Sequence, residues 1–245
     1  VALAHPGLRH GHSPASLAQL GNYELLEVLN HFLPPADSAW DAALSAGRAV
    51  WLLASDDSHD VTRDGETGTN FTRILARDTS AHAVITALRG GSAYGVRSND
   101  HRGTLHLEQL AMHGDTLSAR IHGRVRTARV IGQNGQVRSV WHAPGASAGH
   151  TGTADTTITV HAVADRGDGY LRVVAVGSGE WLYTNPVLRW DGRTLPIQLA
   201  TVNPSRTVLR QTVWRLLFIW MALGWLATLP WPRWRRPRRP ISSPA

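Results

Sequence analysis

A short apolar run ending in a knot of ionisable side chains constrains this chain more than any other feature. Ala49-Val50-Trp51-Leu52-Leu53-Ala54 is followed almost at once by Asp56, Asp57, Ser58, His59 and Asp60. The run is too short to cross a membrane and has no polar alternation, which is how a strand buried on both faces of a parallel sheet reads. Carboxylates and an imidazole gathered where such a strand stops are poor core material, because unpaired charge is costly to bury. At the C-terminal mouth of an α/β barrel they are the material of a metal or catalytic site; a solvated acidic loop is the plainer alternative. Asp57 and His59 are two apart, so an extended backbone would point both toward one ion.

The pattern recurs upstream. Val1–Ala4 is a short strand running into His5-Pro6-Gly7, and Tyr23–Asn30 is a third apolar segment ending in Asn30 and His31. Glu27 lies inside that third run, where its carboxylate needs a cation or a metal-bound group nearby. His10-Gly-His12 has a metal-like spacing but sits in a Gly/Ser/Pro loop, which favours a solvated loop. A short helix is predicted over Ser16–Leu20, capped by Ser13 or Ser16. A second is predicted through Ala46, capped by Asp37 or Ser38 and stopped by Gly47. Strand, helix, strand at these intervals is a βαβ signature. Asn70–Ala76 is predicted as a further strand. A helix capped by Thr79 or Ser80 then closes at Gly90-Gly91. Arg73 has no assigned role.

From Thr104 the texture becomes short, alternating and β-branched. The predicted strands are Thr104–Leu110, Thr116–His122, Arg126–Gly132, Val137–His142, Thr156–Val163, Tyr170–Val176 and Pro186–Trp190. Gln133-Asn134-Gly135 reads as a hairpin turn between two of them. Strands at this spacing predict an antiparallel β-sandwich. Its scattered histidines lack ligand spacing.

Charge separates the end of the chain from its body. Eight of the 25 basic residues lie from Arg206 onward, where no acid occurs, and the 17 before it face 18 acidic residues. A near-neutral body with a basic tail argues against a nucleic-acid-binding protein. With no cysteine, any metal must be held by His, Asp or Glu. Val213–Trp231 reads as a short transmembrane helix. Arg233, Arg235, Arg236, Arg238 and Arg239 on its far flank place that tail in the cytoplasm and everything before Arg206 outside.

Several of these residues together resemble the PHP family (polymerase and histidinol phosphatase domain), and within it the CehA/McbA-like metallohydrolases. The carrying motifs are Ala4-His5-Pro6-Gly7, Glu27-Val28-Leu29-Asn30 and Ser55-Asp56-Asp57-Ser58-His59. Asn70–Ala76 with Ala87–Tyr94 is similar to that family's downstream segment, and Tyr170-Leu171-Arg172 with Thr184-Asn185-Pro186 to the closing strands of its appended β-domain. The resemblance implies a distorted (β/α)7 barrel that holds divalent zinc, manganese or iron and hydrolyses a phosphoester, or in this branch a carbamate or other ester. It places His5, Asp57 and His59 on metal-ligand positions, and Glu27 and Asn30 on a strand lining the substrate pocket. The His-x-His strand with which that family begins is absent from the sequence, and the chain starts inside a strand without an initiator Met. The expectation is a fragment carrying the C-terminal half of the barrel.

The expected architecture is therefore α/β followed by all-β. Residues 1–100 would be the C-terminal part of the barrel, 101–205 an antiparallel β-sandwich, and 206–245 a transmembrane helix with its Arg-rich tail. The expected function is a membrane-anchored, metal-dependent hydrolase acting on a small ester, with no nucleic-acid partner. The alternatives are a non-catalytic, membrane-tethered binding or scaffold module and, more remotely, a sensor whose tail meets anionic lipid.

Overall fold

The structure, a computed structural model, describes residues 1–8, 11–144, 155–190 and 204–228. Its first layer is a three-stranded parallel sheet of β1 (Ala2–Leu3), β2 (Leu25–Asn30) and β3 (Trp51–Ser55), in that order. The connections are α1 (Pro14–Gln19) and α2 (Asp37–Ser45). Ser13 caps α1, its hydroxyl accepting the Ser16 N–H at 3.1 Å, and Pro14 occupies a first-turn position where its missing N–H costs nothing. Neither Asp37 nor Ser38 caps α2. Ala36 stands at the N-cap without a side-chain bond, and Asp37 lies in the first turn.

The run that reads as a doubly buried strand is buried on one face only. Val50, Leu52 and Ala54 are in the core, whereas Trp51, Leu53 and Ser55 are half-buried. The free edge of β3 explains why no barrel continues from it. The Leu52 N–H donates to Asn185 Oδ1 at 2.7 Å. The Ala54 N–H donates to Thr72 Oγ1 at 2.9 Å, and that hydroxyl donates back to the Ala54 carbonyl at 2.9 Å. Side chains thus take the place of the next parallel strand, satisfying groups that are costly to leave open.

The chain then changes direction. Strands β4 (Asn70–Ile74) and β5 (Ala93–Ser98) flank α3 (Ala81–Arg89), which Ser80 caps by accepting the Ala83 N–H at 3.2 Å. The two strands pair antiparallel instead of extending the parallel layer. Eight further strands follow: β6 (His106–His113), β7 (Thr116–Gly123), β8 (Thr127–Ile131), β9 (Val137–His142), β10 (Thr156–Val163), β11 (Tyr170–Val176), β12 (Glu180–Thr184) and β13 (Val187–Leu188). Strands β4-β5-β12-β11-β8-β9, with β13 against β11, make a seven-stranded antiparallel sheet; β10-β7-β6 make a smaller one. The hairpin between β8 and β9 turns through Asn134 (φ 59°) and Gly135 (φ 71°), positive values that Asn-Gly tolerates best.

Strand β11 is buried on both faces. Tyr170 and Val174 pack with Trp40, Leu26 and Leu29 of the parallel layer. Leu171, Val173 and Ala175 pack with Leu117, Ile121 and Val160 of the small sheet. Period-two alternation sends successive side chains into two cores. Arg172, 1% exposed, lies between Tyr170 and Val174 on the α2 side. Its guanidinium donates to both Asp41 oxygens (2.8 and 2.7 Å) and to Asp37 (2.9 Å), and its Cζ sits 4.9 Å over the Trp40 ring.

Two parts of the expected architecture are corrected. Among the described residues the fold is mostly β-sheet with four α-helices and no (β/α)7 closure, because β4 and β5 belong to the same sheet as β12, β11, β8 and β9. That sheet draws strands from both sides of residue 100. The facing antiparallel sheets do form, but the larger carries the parallel layer on its other face.

The second correction concerns α4 (Pro204–Thr228), which belongs to the unit Val202–Ala245, distinct from the unit Val1–Thr201. Among the described residues no helix is long and apolar enough to cross a membrane. Arg210 and Arg215 interrupt α4, and the uncharged stretch Leu216–Thr228 rises only about 20 Å at ~1.5 Å per residue. A hydrocarbon core is roughly 30 Å thick. Trp231 and the arginines from Arg233 onward lie outside the described residues, as does His10.

Candidate functional site

Parallel pairing puts the C-terminal ends of β1, β2 and β3 on one rim, and four sequence-derived site residues meet there. His5 lies two residues beyond β1 and Asp57 two beyond β3. Both have φ 53°, a left-handed turn that turns the chain at the strand end. Glu27 and Asn30 come from β2 itself. Three residues apart, they would face opposite sides of a regular strand. The pairing with β3 shifts register between Glu27 and Leu29, and this irregularity brings both side chains together.

Glu27 is the hub. Its Oε2 accepts the His5 backbone N–H at 2.8 Å and lies 2.8 Å from His5 Nδ1. Its Oε1 accepts the Ser55 hydroxyl, and Asn30 Nδ2 at 3.2 Å. A carboxylate 6% exposed is thereby satisfied within the protein, as its place in an apolar run demands. The Asn30 amide also donates to Asp57 Oδ2 at 3.2 Å, and its Oδ1 accepts the Phe32 N–H at 2.9 Å. With Nδ1 held by Glu27, His5 presents Nε2, which lies 3.7 Å from Asp57 Oδ1. That separation is too long for a hydrogen bond and short enough for two donors to share a small cation.

His59 has different neighbours. Its backbone N–H donates to Glu66 at 3.2 Å, and its exposed ring stands edge-on to Phe32 with centroids 6.0 Å apart. The backbone at Asp57 is left-handed, not extended, so the two-residue spacing does not by itself aim both side chains one way. Among the described residues no group of three or more His, Cys, Asp or Glu is arranged to hold a metal ion. The donor set at the rim is His5 Nε2 with the Asp57 carboxylate, a fit for two positions of a divalent ion's coordination sphere.

Sequence reasoning missed the supports beneath the site. Asp56 accepts N–H bonds from Gly68 (2.6 Å), Thr69 (2.9 Å) and Asn70 (2.7 Å), and the Thr69 hydroxyl at 2.8 Å. Burial opposes its ionisation, but these donors outweigh burial and hold its carboxyl below the usual range. Glu66 accepts the N–H groups of His59 and Asp60 and pairs with Arg63 at 2.9 Å, folding the polar loop back on itself. A carboxylate adjacent to a ligand candidate was the available signal, but only the fold tells support from ligand. Arg73, unassigned in sequence, bonds the Gly103 carbonyl and His106.

No family model matches the chain, and neither the curated proteins nor the solved structures contain a match to it.

Proposed function

We propose that the β1–β3 rim is the metal-binding edge of a hydrolase acting on a phosphoester or related ester. The observation that carries this reading is the Glu27–His5–Asp57 arrangement. A buried carboxylate fixes one ring nitrogen and leaves the other facing a second carboxylate, which is how histidine ligands are commonly oriented. His5 and Asp57 would hold zinc, manganese or iron, with His59 on the adjoining loop as the further ligand candidate. A bound divalent ion supplies an acidic water and polarises the scissile group. Glu27 acts through His5 as a positioning residue. Asn30 spans Glu27 and Asp57 and sets the separation of the two carboxylates. The chain would work at a membrane surface, where the exposed Trp214, Trp220 and Trp225 of α4 and its flanking arginines suit an interface with anionic lipid.

The test is hydrolysis of an aryl phosphate by the full chain, with manganese or zinc and with chelator. Asp57→Ala should lower turnover at least 100-fold, and Glu27→Gln should weaken metal affinity about 10–100-fold. Turnover indifferent to chelator and to Asp57→Ala overturns the reading. The absence of a three-donor cluster among the described residues favours a second reading, a non-catalytic binding or scaffold module. Equilibrium dialysis separates the two: stoichiometric, tight metal supports the hydrolase, and none supports the scaffold.

A further inference from the structure

We propose that α4 is a self-association helix that packs in parallel against α4 of further copies of this chain, through one aliphatic seam. Its side chains from Val208 to Thr228 are all exposed, so no described residue covers its apolar surface. What covers it is legible in how side-chain types are sorted around the helix. At about 100° per residue, Leu209, Thr212, Leu216, Ile219, Leu223 and Leu226 fall on one stripe, spaced alternately by three and four residues. That is the a/d spacing of a coiled coil. Trp214, Phe218, Met221 and Trp225 fall on the opposite face. Aliphatic side chains thus line one side, and aromatic and thioether groups the other.

Lipid alone does not account for this sorting, because acyl chains are equally apolar on every side of a helix. Nor does it account for the length of the seam. The stripe continues through Leu209 and Thr212, on the N-terminal side of Arg215, where Arg210 and Gln211 take the outer face. The positions flanking the seam match a second copy. In a parallel pair, each g position lies opposite the partner's e position five residues later. This sets Val208 against the partner's Val213, Arg215 against the partner's Trp220, and Ala222 against the partner's Ala227. The outer two pairs are apolar, the middle one is a cation at an indole face, and no like charges meet. An antiparallel pair would leave Arg215 beside the partner's Ala222 and lose that contact. Leucine at every a position, with the β-branched Thr212 and Ile219 at d, favours three or four helices over two.

Sedimentation equilibrium of the full chain in density-matched detergent tests this. The mass should exceed that of one chain and fall on dilution. Leu216→Ala with Ile219→Ala should weaken association about 100-fold, whereas Leu217→Ala with Phe218→Ala, on the outer side, should change it by less than about 3-fold. Arg215→Gln should weaken it about 5-fold. The chain has no cysteine, so Leu209→Cys carries a single thiol. Under oxidation it should give a disulfide-linked dimer, which requires the helices to run the same way, and Gln211→Cys, on the outer face, should not. A single-chain mass at every concentration overturns the proposal. If that monomer also binds anionic vesicles, lipid is the sole occupant of the helix. Equal sensitivity to the two double substitutions overturns it as well, and so does an associated chain in which Leu209→Cys stays uncross-linked.

Discussion

Asp56 and Asp57 are adjacent carboxylates with different employment, and the difference comes from where the backbone turns. The left-handed residue is Asp57, whose side chain meets Asn30 and His5, while Asp56 collects three backbone amides and a hydroxyl. Asp56→Asn replaces one acceptor oxygen by an amide NH2 that faces an N–H donor. It should cost about 2 kcal/mol of stability, read by urea unfolding at neutral pH. The pH dependence has a definite sign. The folded pKa of Asp56 lies below the ordinary 3.8, so its contribution is complete above that value and disappears as pH falls through the folded pKa. Acid titrations of the two proteins should therefore differ most at neutral pH and converge below 3.8. A gap that persists undiminished at low pH would show that the loss is steric, not ionic. Of the site itself, His5, Asp57 and the need of Glu27 for partners were legible, because apolar runs ending in ionisable groups are a local pattern. The shift in pairing that puts Glu27 beside Asn30 was not, since it arises only when β2 meets β3.

Elements show the same division between local and distant. Strands β9, β10 and β11, the β8–β9 hairpin and the Ser80-capped helix follow from alternation, turn residues and capping, all properties of a few neighbours in sequence. The pairing of β12 with β5 does not follow from such signals, because pairing across more than 80 residues leaves no trace in either segment. Two segments with similar apolar texture, around Trp51 and around Val173, therefore end differently. β3 finishes as an edge sealed by side chains, and β11 as a strand with a core on each face. Asn185→Ala removes the acceptor of the Leu52 N–H and the donor to the Gly91 and Ala93 carbonyls. It should cost about 2 kcal/mol, with hydrogen exchange at Leu52 accelerating ahead of exchange in β11. Unchanged protection at Leu52 would mean that another group seals that edge. The Arg172 cluster behaves as a unit. Arg172→Leu leaves the buried Asp41 without its cation and should cost about 4 kcal/mol, whereas Arg172→Leu with Asp41→Leu should recover most of the loss.

At the scale of the whole molecule, the shared central sheet decides how the unit Val1–Thr201 unfolds. A half-barrel joined to a separate sandwich near residue 100 would melt in two steps. Here β8, β11 and β12 contribute to both hydrophobic clusters, so neither can be lost while the other keeps its wall. Val174 faces the parallel layer and Val173 faces the small sheet, and both are at most 1% exposed. Val174→Ala and Val173→Ala should each lower stability by about 2 kcal/mol and shift one common transition. The transition should coincide by tryptophan fluorescence and by far-ultraviolet circular dichroism. Trp40 reports one cluster and Trp141 the other, so Trp40→Phe and Trp141→Phe assign the fluorescence to each side. A variant that moved the Trp40 signal and left the Trp141 signal in place would separate the layers into independent folding units. The rim residues would then be anchored by the parallel layer alone, and Val173→Ala, on the far face, would leave metal binding at the rim undisturbed even under conditions that unfold the small sheet.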